Sequence, residues 1–285
     1  MQVSATGAET WSSPDSASRL HYAAGTHPGR VRTVNEDASL VAPPVFLVAD
    51  GMGGYARGDA ASRLVVESFE PLAAMRAVQP DDVEAAICEA QRRVAALAAE
   101  LSSAPGSTLV VAAYVLEDGR GYWLLANIGD SRVYSLVDGV LEQISKDHSV
   151  VQEMIDAGQI TRDEALGHPE RHVITRAIGA LTESQADFAL VPAEPGSRLL
   201  LCSDGLTSEI SDTAIQHILS ERTAPDRTVM TLLDAAVSAG GHDNVTVVVI
   251  DVDGHLHGQP HGQPHGHPQG HRRGEDTVPK PGAGR

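Results

Sequence analysis

The sequence VFLVADGMGGYARGDAAS, residues 45 to 62, joins an apolar run to an acidic residue and a group of glycines. An apolar run from Val45 to Ala49 ends at Asp50, and a cluster of glycines follows. A short apolar run bounded by glycines is typical of a buried strand that leads into a turn. The carboxylate of Asp50 would then lie beside a sheet core, where its burial is costly unless a positive charge is close. The pattern therefore raises the question of which cation lies beside Asp50.

The charge of the chain excludes two broad classes of function. The 285 residues carry a formal net charge of −17, and 42% of them are hydrophobic. Residues 254–285 contain four basic and two acidic groups, so residues 1–253 carry −19. Nucleic acids and anionic membrane surfaces both require a basic face, so we expect neither as a partner. The N-terminus has no signal-peptide pattern, and no run reaches the ~18 apolar residues of a membrane span. We expect a cytoplasmic protein with no membrane insertion.

The composition divides the chain into three parts. Residues 1–18 are polar and aperiodic, which predicts a disordered leader. Residues 19–253 alternate between strand-like and helix-like patterns, which predicts one folded domain. Residues 254–285 are rich in Gly, Pro and His, which predicts a disordered tail. The six histidines between residues 255 and 271 would also allow loose binding of a transition metal, although a polar extension is the simpler interpretation.

Within the domain, the hydrophobic periodicity predicts an α+β fold. Residues 56–78 and 81–103 have the spacing of two long helices. Residues 107–144 read as an antiparallel meander, because Asp-Gly pairs join the strand-like runs. Pairs of helices around antiparallel hairpins favour a sandwich of sheets and helices over a parallel, doubly wound sheet.

Acidic residues recur at predicted strand ends, as Asp50 does. Asp130 and Asp204 each follow an apolar run, and Asp243 comes just before the last one. Glu36 and Asp37 form an acidic pair early in the chain. One aspartate in a turn is commonplace, but several carboxylates at one sheet edge would repel each other unless a divalent cation lay among them. Oxygen ligands suit Mg²⁺ or Mn²⁺, so a metal centre is the answer that the sequence gives for Asp50.

At this point the sequence resembles a known family, the bacterial metal-dependent serine/threonine phosphatases of the 2C type. The resemblance covers roughly Leu20 to Val252. Eight motifs in the same order make it specific, whereas one Asp-Gly motif would be weak. The motifs are GRVRTVNED, VADGMGG, GSTLVVA, NIGDSRVY, DHSVVQEMIDAGQIT, HPERHVITRAIG, LLCSDGLTSEISD and GGHDNVTVVV.

The resemblance implies a four-layer α-β-β-α sandwich, in which helix pairs flank two antiparallel sheets. It also implies a binuclear Mg²⁺ or Mn²⁺ centre at the sheet edge. By position, Asp50 would bridge both metals, and the carbonyl group of Gly51 would bind one of them. Asp204 and Asp243 would hold the other metal.

Four further residues match functional positions of the family. Glu36 and Asp37 would orient waters bound to the metals. Asp130 would help to bind a third, weaker metal ion. Arg32 would bind the substrate phosphate, for which a guanidinium offers bidentate donors.

The chain departs from the family pattern where a proton donor is expected. Met52 and Tyr55 occupy positions at which relatives carry histidine. The donor to the leaving group is therefore left open between a metal-bound water, Tyr55 and His148, and His148 is more simply a structural residue. Residues 150–172 would form a flap beside the active site.

The implied function is hydrolysis of phosphoserine and phosphothreonine in proteins by a metal-bound water. Such an enzyme would oppose a bacterial Ser/Thr kinase, and we expect a monomer. One alternative is a partner-switching phosphatase that acts on anti-sigma-antagonist proteins. Another is a non-catalytic phosphoprotein-binding module of the same fold, which the presence of Asp50, Asp204 and Asp243 disfavours.

Overall fold

The structure, a computed structural model, describes residues 4–14, 18–53, 57–101, 104–179 and 184–254. The chain divides into two units, residues 1–255 and 256–285, and the second lies outside the described residues. The predicted disordered tail therefore lies outside them too, apart from Gly254, which ends the last strand. None of the helices in the described ranges combines the length and apolar content that crossing a lipid bilayer requires.

Two antiparallel sheets form the centre of the first unit. The seven-stranded sheet has the order β1-β3-β13-β12-β9-β10, with β2 also paired to β3. Its strands are β1 (Ser4–Ala5), β2 (Glu9–Ser12), β3 (Ser18–His27), β9 (Arg132–Val137), β10 (Val140–Gln143), β12 (Arg198–Cys202) and β13 (Val245–Gly254). The six-stranded sheet has the order β11-β8-β7-β5-β4, with β6 also paired to β5. Its strands are β4 (Asp37–Ala42), β5 (Val45–Met52), β6 (Gly106–Ser107), β7 (Leu109–Glu117), β8 (Arg120–Ile128) and β11 (Asp187–Pro192).

Helices cover the outer face of each sheet. The six-stranded sheet packs against α1 (Gly58–Phe69) and α2 (Pro80–Ala99), with a short 3₁₀ turn at Glu70–Ala74 between them. The seven-stranded sheet packs against α5 (Asp204–Thr207), α6 (Asp212–Ser220) and α7 (Pro225–Ala239). Two further helices, α3 (Val150–Asp156) and α4 (Arg162–Leu166), form the flap segment. The predicted α-β-β-α sandwich is confirmed.

The continuous apolar run in β5 follows from its place in these layers. Val45, Leu47 and Ala49 belong to the core between the six-stranded sheet and helices α1 and α2. Phe46 and Val48 belong to the core between the two sheets. Because both faces of β5 are covered, both sets of alternating side chains must be apolar. Asp50 is thus the first polar side chain of a strand that is otherwise buried on both sides.

The predicted meander is only partly correct. Residues 109–143 do form two tight hairpins, whose turns at Asp118–Gly119 and Asp138–Gly139 have positive φ at both positions. The hairpins lie in different sheets, however, because the chain crosses from β8 to β9 between Gly129 and Ser131. The sequence shows where strands end but not which sheet the next strand joins. This crossing places Asp130 at the edge shared by both sheets.

The prediction of a disordered leader over residues 1–18 is wrong for the described residues. Both β1 and β2 pair with β3 and form the edge of the seven-stranded sheet beyond it. The indole of Trp11 packs edge-on against the ring of Tyr114, with ring centroids 5.6 Å apart. Backbone pairing, side-chain hydrogen bonds to β3 and the Trp11 contact order a segment whose polar composition carries no signal of a strand.

Candidate active site

One cavity of about 670 Å³ lies at the edge where the acidic strand ends meet. It brings together all but one of the residues that the sequence assigns to the site. These are Arg32, Glu36, Asp50, Gly51, Asp130, Asp204 and Asp243. They come from five separate parts of the chain, so the fold, and not local sequence, assembles the cavity.

Asp37 is the exception and lies behind the cavity wall. It stands directly opposite Asp50 in the register of β4 and β5. Its Oδ2 accepts a hydrogen bond from the hydroxyl of Ser203 at 2.8 Å. Like charges placed directly across an antiparallel pair destabilise a sheet. The pair Asp37 and Asp50 is therefore a site of electrostatic strain that favours a cation.

Asp204 is positioned by a close approach of two backbones. It is the first residue of α5, immediately after β12. The next residue, Gly205, lies so close to β13 that a Cβ atom there would be 2.0 Å from the carbonyl oxygen of Asn244. Only glycine permits this contact. Because Asp204 precedes Gly205 and Asp243 precedes Asn244, the contact places the two aspartates side by side.

Arg32 and Glu36 lie on a loop that Asn244 holds in place. The side-chain amide of Asn244 donates to the carbonyl oxygens of Pro28 and Val34, both at 3.0 Å. Its Oδ1 accepts from the backbone N–H of Glu36 at 2.8 Å. Asn244 is buried, and the sequence interpretation missed it, although it directly follows Asp243 in the motif GGHDN. It is a residue that positions the loop.

The guanidinium of Arg32 already faces an acid of the site. Its Nη2 donates to Asp243 Oδ2 at 2.7 Å, and about half of the Arg32 side chain is exposed. An arginine at the cavity mouth, free to exchange one anionic partner for another, is suited to bind a phosphate.

Burial and mutual repulsion raise the pKa values of the acids. Burial raises the pKa of Asp50 well above its usual range, and the nearby charges of Asp37 and Asp204 raise it further. The pKa of Asp204 is raised by burial and then by Asp243. Burial, with Asp204 and Asp147 nearby, raises the pKa of Asp130 to about 8. A cluster of carboxylates that is costly to ionise together is stabilised by a divalent cation.

The donor atoms fit hard cations. The Oδ1 atoms of Asp37 and Asp204 are buried and have no hydrogen-bond partner among the described residues. In the same part of the chain, no three or more Asp, Glu, His or Cys side chains are arranged closely enough to hold a metal ion by themselves. Mg²⁺ keeps several waters in its coordination shell, so it does not require a complete set of protein ligands.

Of the three candidate proton donors that the sequence left open, His148 is the one whose surroundings the structure describes. His148 is 5% exposed and does not line the cavity. Its Nδ1 accepts from the backbone N–H of Gly129 at 3.2 Å, and its Nε2 lies 3.2 Å from Asp187 Oδ2. His148 therefore has the structural role that the sequence favoured. Tyr55 lies outside the described residues, whereas Met52 lines the cavity.

Four ionisable residues that the sequence did not single out also line the cavity. The flap contributes Arg171 and His172, and His172 Nδ1 lies 3.9 Å from Asp204 Oδ2. On the opposite side, Glu209 Oε1 accepts from the backbone N–H of His242 at 2.7 Å. The motifs HPERH and GGHDN contain three of them, but only the fold shows that they face the same cavity.

Comparisons with known proteins identify the class that this fold and site define. The family model described as protein phosphatase 2C matches residues 24–229. The serine/threonine phosphatase Stp of Listeria monocytogenes is 33% identical over 247 residues, which cover 82% of this chain and 96% of that protein.

Solved structures give the same result. The serine/threonine phosphatase PstP/Ppp of Mycobacterium tuberculosis matches with a TM-score of 0.76 and 36% identity, covering 82% of this chain and 99% of that one. A structure of the catalytic domain of PstP in complex with two manganese ions matches with a TM-score of 0.73 and 36% identity, covering 82% and 98%. The chain belongs to the protein phosphatase 2C family. It is a serine/threonine protein phosphatase that depends on divalent metal.

Proposed function

We propose that this phosphatase removes phosphate from phosphoserine and phosphothreonine side chains with two divalent cations held at the sheet edge. Asp50 and the Gly51 carbonyl group would bind one cation. Asp50, Asp204 and Asp243 would bind the other, and Mg²⁺ or Mn²⁺ would serve. The observation that carries this assignment is the single cavity in which these residues meet.

The bound cations would lower the pKa of a water and neutralise phosphoryl oxygens. The protein's own groups do the remaining work. Arg32 offers paired N–H donors to the phosphate at the cavity mouth. Glu36, which lines the cavity, and Asp37, which lies behind its wall, would orient waters, and Asp130 would support a third, weaker cation. Thr108 fixes the end of β5, because its hydroxyl accepts from the backbone N–H of Asp50 at 3.0 Å.

The cellular setting is part of the same proposal. An enzyme of this kind would act in the cytoplasm as a monomer and oppose a Ser/Thr kinase. The strongly acidic domain supports a protein substrate over a nucleic acid. Helices α3 and α4 give the flap a substantial structure, which favours this function over that of a partner-switching phosphatase with a reduced flap.

Metal removal tests the proposed function. We expect turnover of p-nitrophenyl phosphate and of a phosphothreonine peptide to vanish in EDTA and to return with added Mn²⁺ or Mg²⁺. The measurement is the initial rate across a metal titration, with circular dichroism to show that the chelated protein stays folded. Turnover that persists in excess chelator would contradict the two-metal assignment.

Replacing Arg32 tests how the phosphate is bound. We expect Arg32→Ala to raise KM about tenfold or more, because a charge-assisted pair with the dianion is lost. Arg32→Lys should recover part of the affinity, since it restores the charge without the bidentate geometry. Arg30→Ala is the matched control, as Arg30 is an exposed neighbour that does not line the cavity. Unchanged kinetics in Arg32→Ala would show that another group binds the phosphate.

A further inference from the structure

A second cavity of about 410 Å³ adjoins the active site. Helices α3 and α4 of the flap form one wall, and α5 with the start of α6 forms the other. Five residues line both cavities: Asp130, Arg171, His172, Asp204 and Ser208. The second cavity, which we call the flap groove, therefore begins where the phosphate would lie and runs away from it beneath the flap.

Charge does not decide what the flap groove binds. Its floor holds Arg132 and Asp147, which are partly buried and whose Nη2 and Oδ2 atoms are 2.7 Å apart, so their charges compensate each other. The exposed charges along the walls also balance, with two basic and two acidic side chains. These are Arg162, Arg171, Asp163 and Asp212. Two further acids, Asp130 and Asp204, lie at the end that the flap groove shares with the active site, where the proposed cations would compensate their charge. Away from that end, a strongly acidic or basic peptide would find no matching field.

The apolar lining of the flap groove instead determines which side chain it binds. Both walls contribute apolar side chains, which are Val151, Ile155, Ala165, Leu166 and Ile210. Leu166 is 77% exposed, although Ala165 beside it is buried. A large apolar side chain held at the rim of a groove with further apolar groups below it can lose its contact with water when an apolar ligand binds.

We propose that the flap groove binds the polypeptide on one side of the phosphorylated residue, and that Leu166 selects an apolar side chain there. This inference rests on the proposed function, because the groove is defined by its continuity with the phosphate site. The occupant is part of the substrate protein itself. The enzyme would then prefer phosphorylation sites that have a leucine-like neighbour over sites with small polar neighbours.

The test compares two phosphothreonine peptides of equal length and charge. One carries leucine and the other serine at the positions two, three and four residues from the phosphothreonine on both sides. For the wild-type enzyme with Mn²⁺, we expect kcat/KM to be about five- to tenfold higher for the leucine peptide, as partial burial of one leucine side chain would give. In Leu166→Ser this ratio should fall towards one, and in Leu166→Met it should remain. Fluorescence anisotropy with phosphonate analogues of both peptides should show the same ratio in binding.

The matched control is Leu190→Ser. Leu190 is an exposed leucine on β11 and lines neither cavity, so this variant should keep the wild-type ratio. A wild-type ratio near one, or a ratio that Leu166→Ser leaves intact, would overturn the inference while leaving the proposed function standing. Failure of the wild-type enzyme to hydrolyse either peptide, with p-nitrophenyl phosphate still turned over, would overturn the proposed function and this inference with it.

Discussion

Replacing Asp50 with asparagine should abolish turnover and yet make the metal-free protein more stable. Asp50 is the acid that would touch both cations, so its loss should lower kcat by at least about a thousandfold, as expected when metal-ion stabilisation worth several kcal/mol is removed. In chelator the carboxylate has no cation and lies among other acids, with Asp37 directly opposite and Asp204 nearby. A neutral amide of the same shape relieves that repulsion. We expect about 1–2 kcal/mol of added stability, in the range of other substitutions that relieve local conflict.

The measurement combines kcat with urea unfolding in EDTA at pH 8, where more of the acids are ionised. Asp138→Asn is the matched control, because Asp138 is exposed in a hairpin turn whose φ of 50° asparagine also tolerates. Asp130→Asn should load the first two metals and lose only part of its activity, whereas Asp50→Asn should fail to bind them in calorimetry. Tight Mn²⁺ binding by Asp50→Asn, or lower stability in chelator, would show that Asp50 does not bridge the site.

Four of the acids could be predicted to lie at strand ends because each one borders an apolar run. Asp50 ends an apolar run, and Asp204 stands between an apolar run and a glycine. A pattern of this kind marks a strand end whatever the fold is. The four-layer architecture came from the order of eight motifs, since periodicity alone favoured only a sandwich of helices and sheets.

The residues that the sequence did not reveal act through contacts distant in the chain. Asn244 binds a loop more than 200 positions earlier, and nothing in its neighbourhood signals that partner. The edge strands β1 and β2 owe their order to pairing with β3, not to an apolar pattern of their own. The sequence does not distinguish Leu166 from other leucines, because its place in the flap groove depends on α4 lying opposite the start of α6. Such features depend on tertiary structure, so local propensity cannot supply them.

Arg198 should be the most costly side chain to replace outside the site. Its side chain is 1% exposed, and its Nε and Nη2 donate to the two carboxylate oxygens of Asp251 at 2.6 and 2.7 Å. The same guanidinium also donates to the carbonyl oxygen of Leu219, in α6, and to that of Thr223, between α6 and α7. Arg198→Met would leave the Asp251 carboxylate without its guanidinium partner and would remove one donor from each of the two carbonyl groups. We expect the free energy of unfolding to fall by about 3–5 kcal/mol.

Urea unfolding of the holoenzyme measures this loss, and Arg227→Met is the matched control. Arg227 is exposed on α7, so its replacement should change stability by no more than about 0.5 kcal/mol. The double variant Arg198→Met/Asp251→Asn should recover part of the loss, because it removes the unpaired charge. Equal stability of Arg198→Met and Arg227→Met would show that the buried ion pair does not stabilise the fold.

The ion pair of Arg198 and Asp251 also links the strands next to two acids of the site. Arg198 begins β12, which ends just before Asp204, and Asp251 lies on β13, which begins just after Asp243. This ion pair therefore joins, at the end remote from the cavity, the two strands that carry these acids.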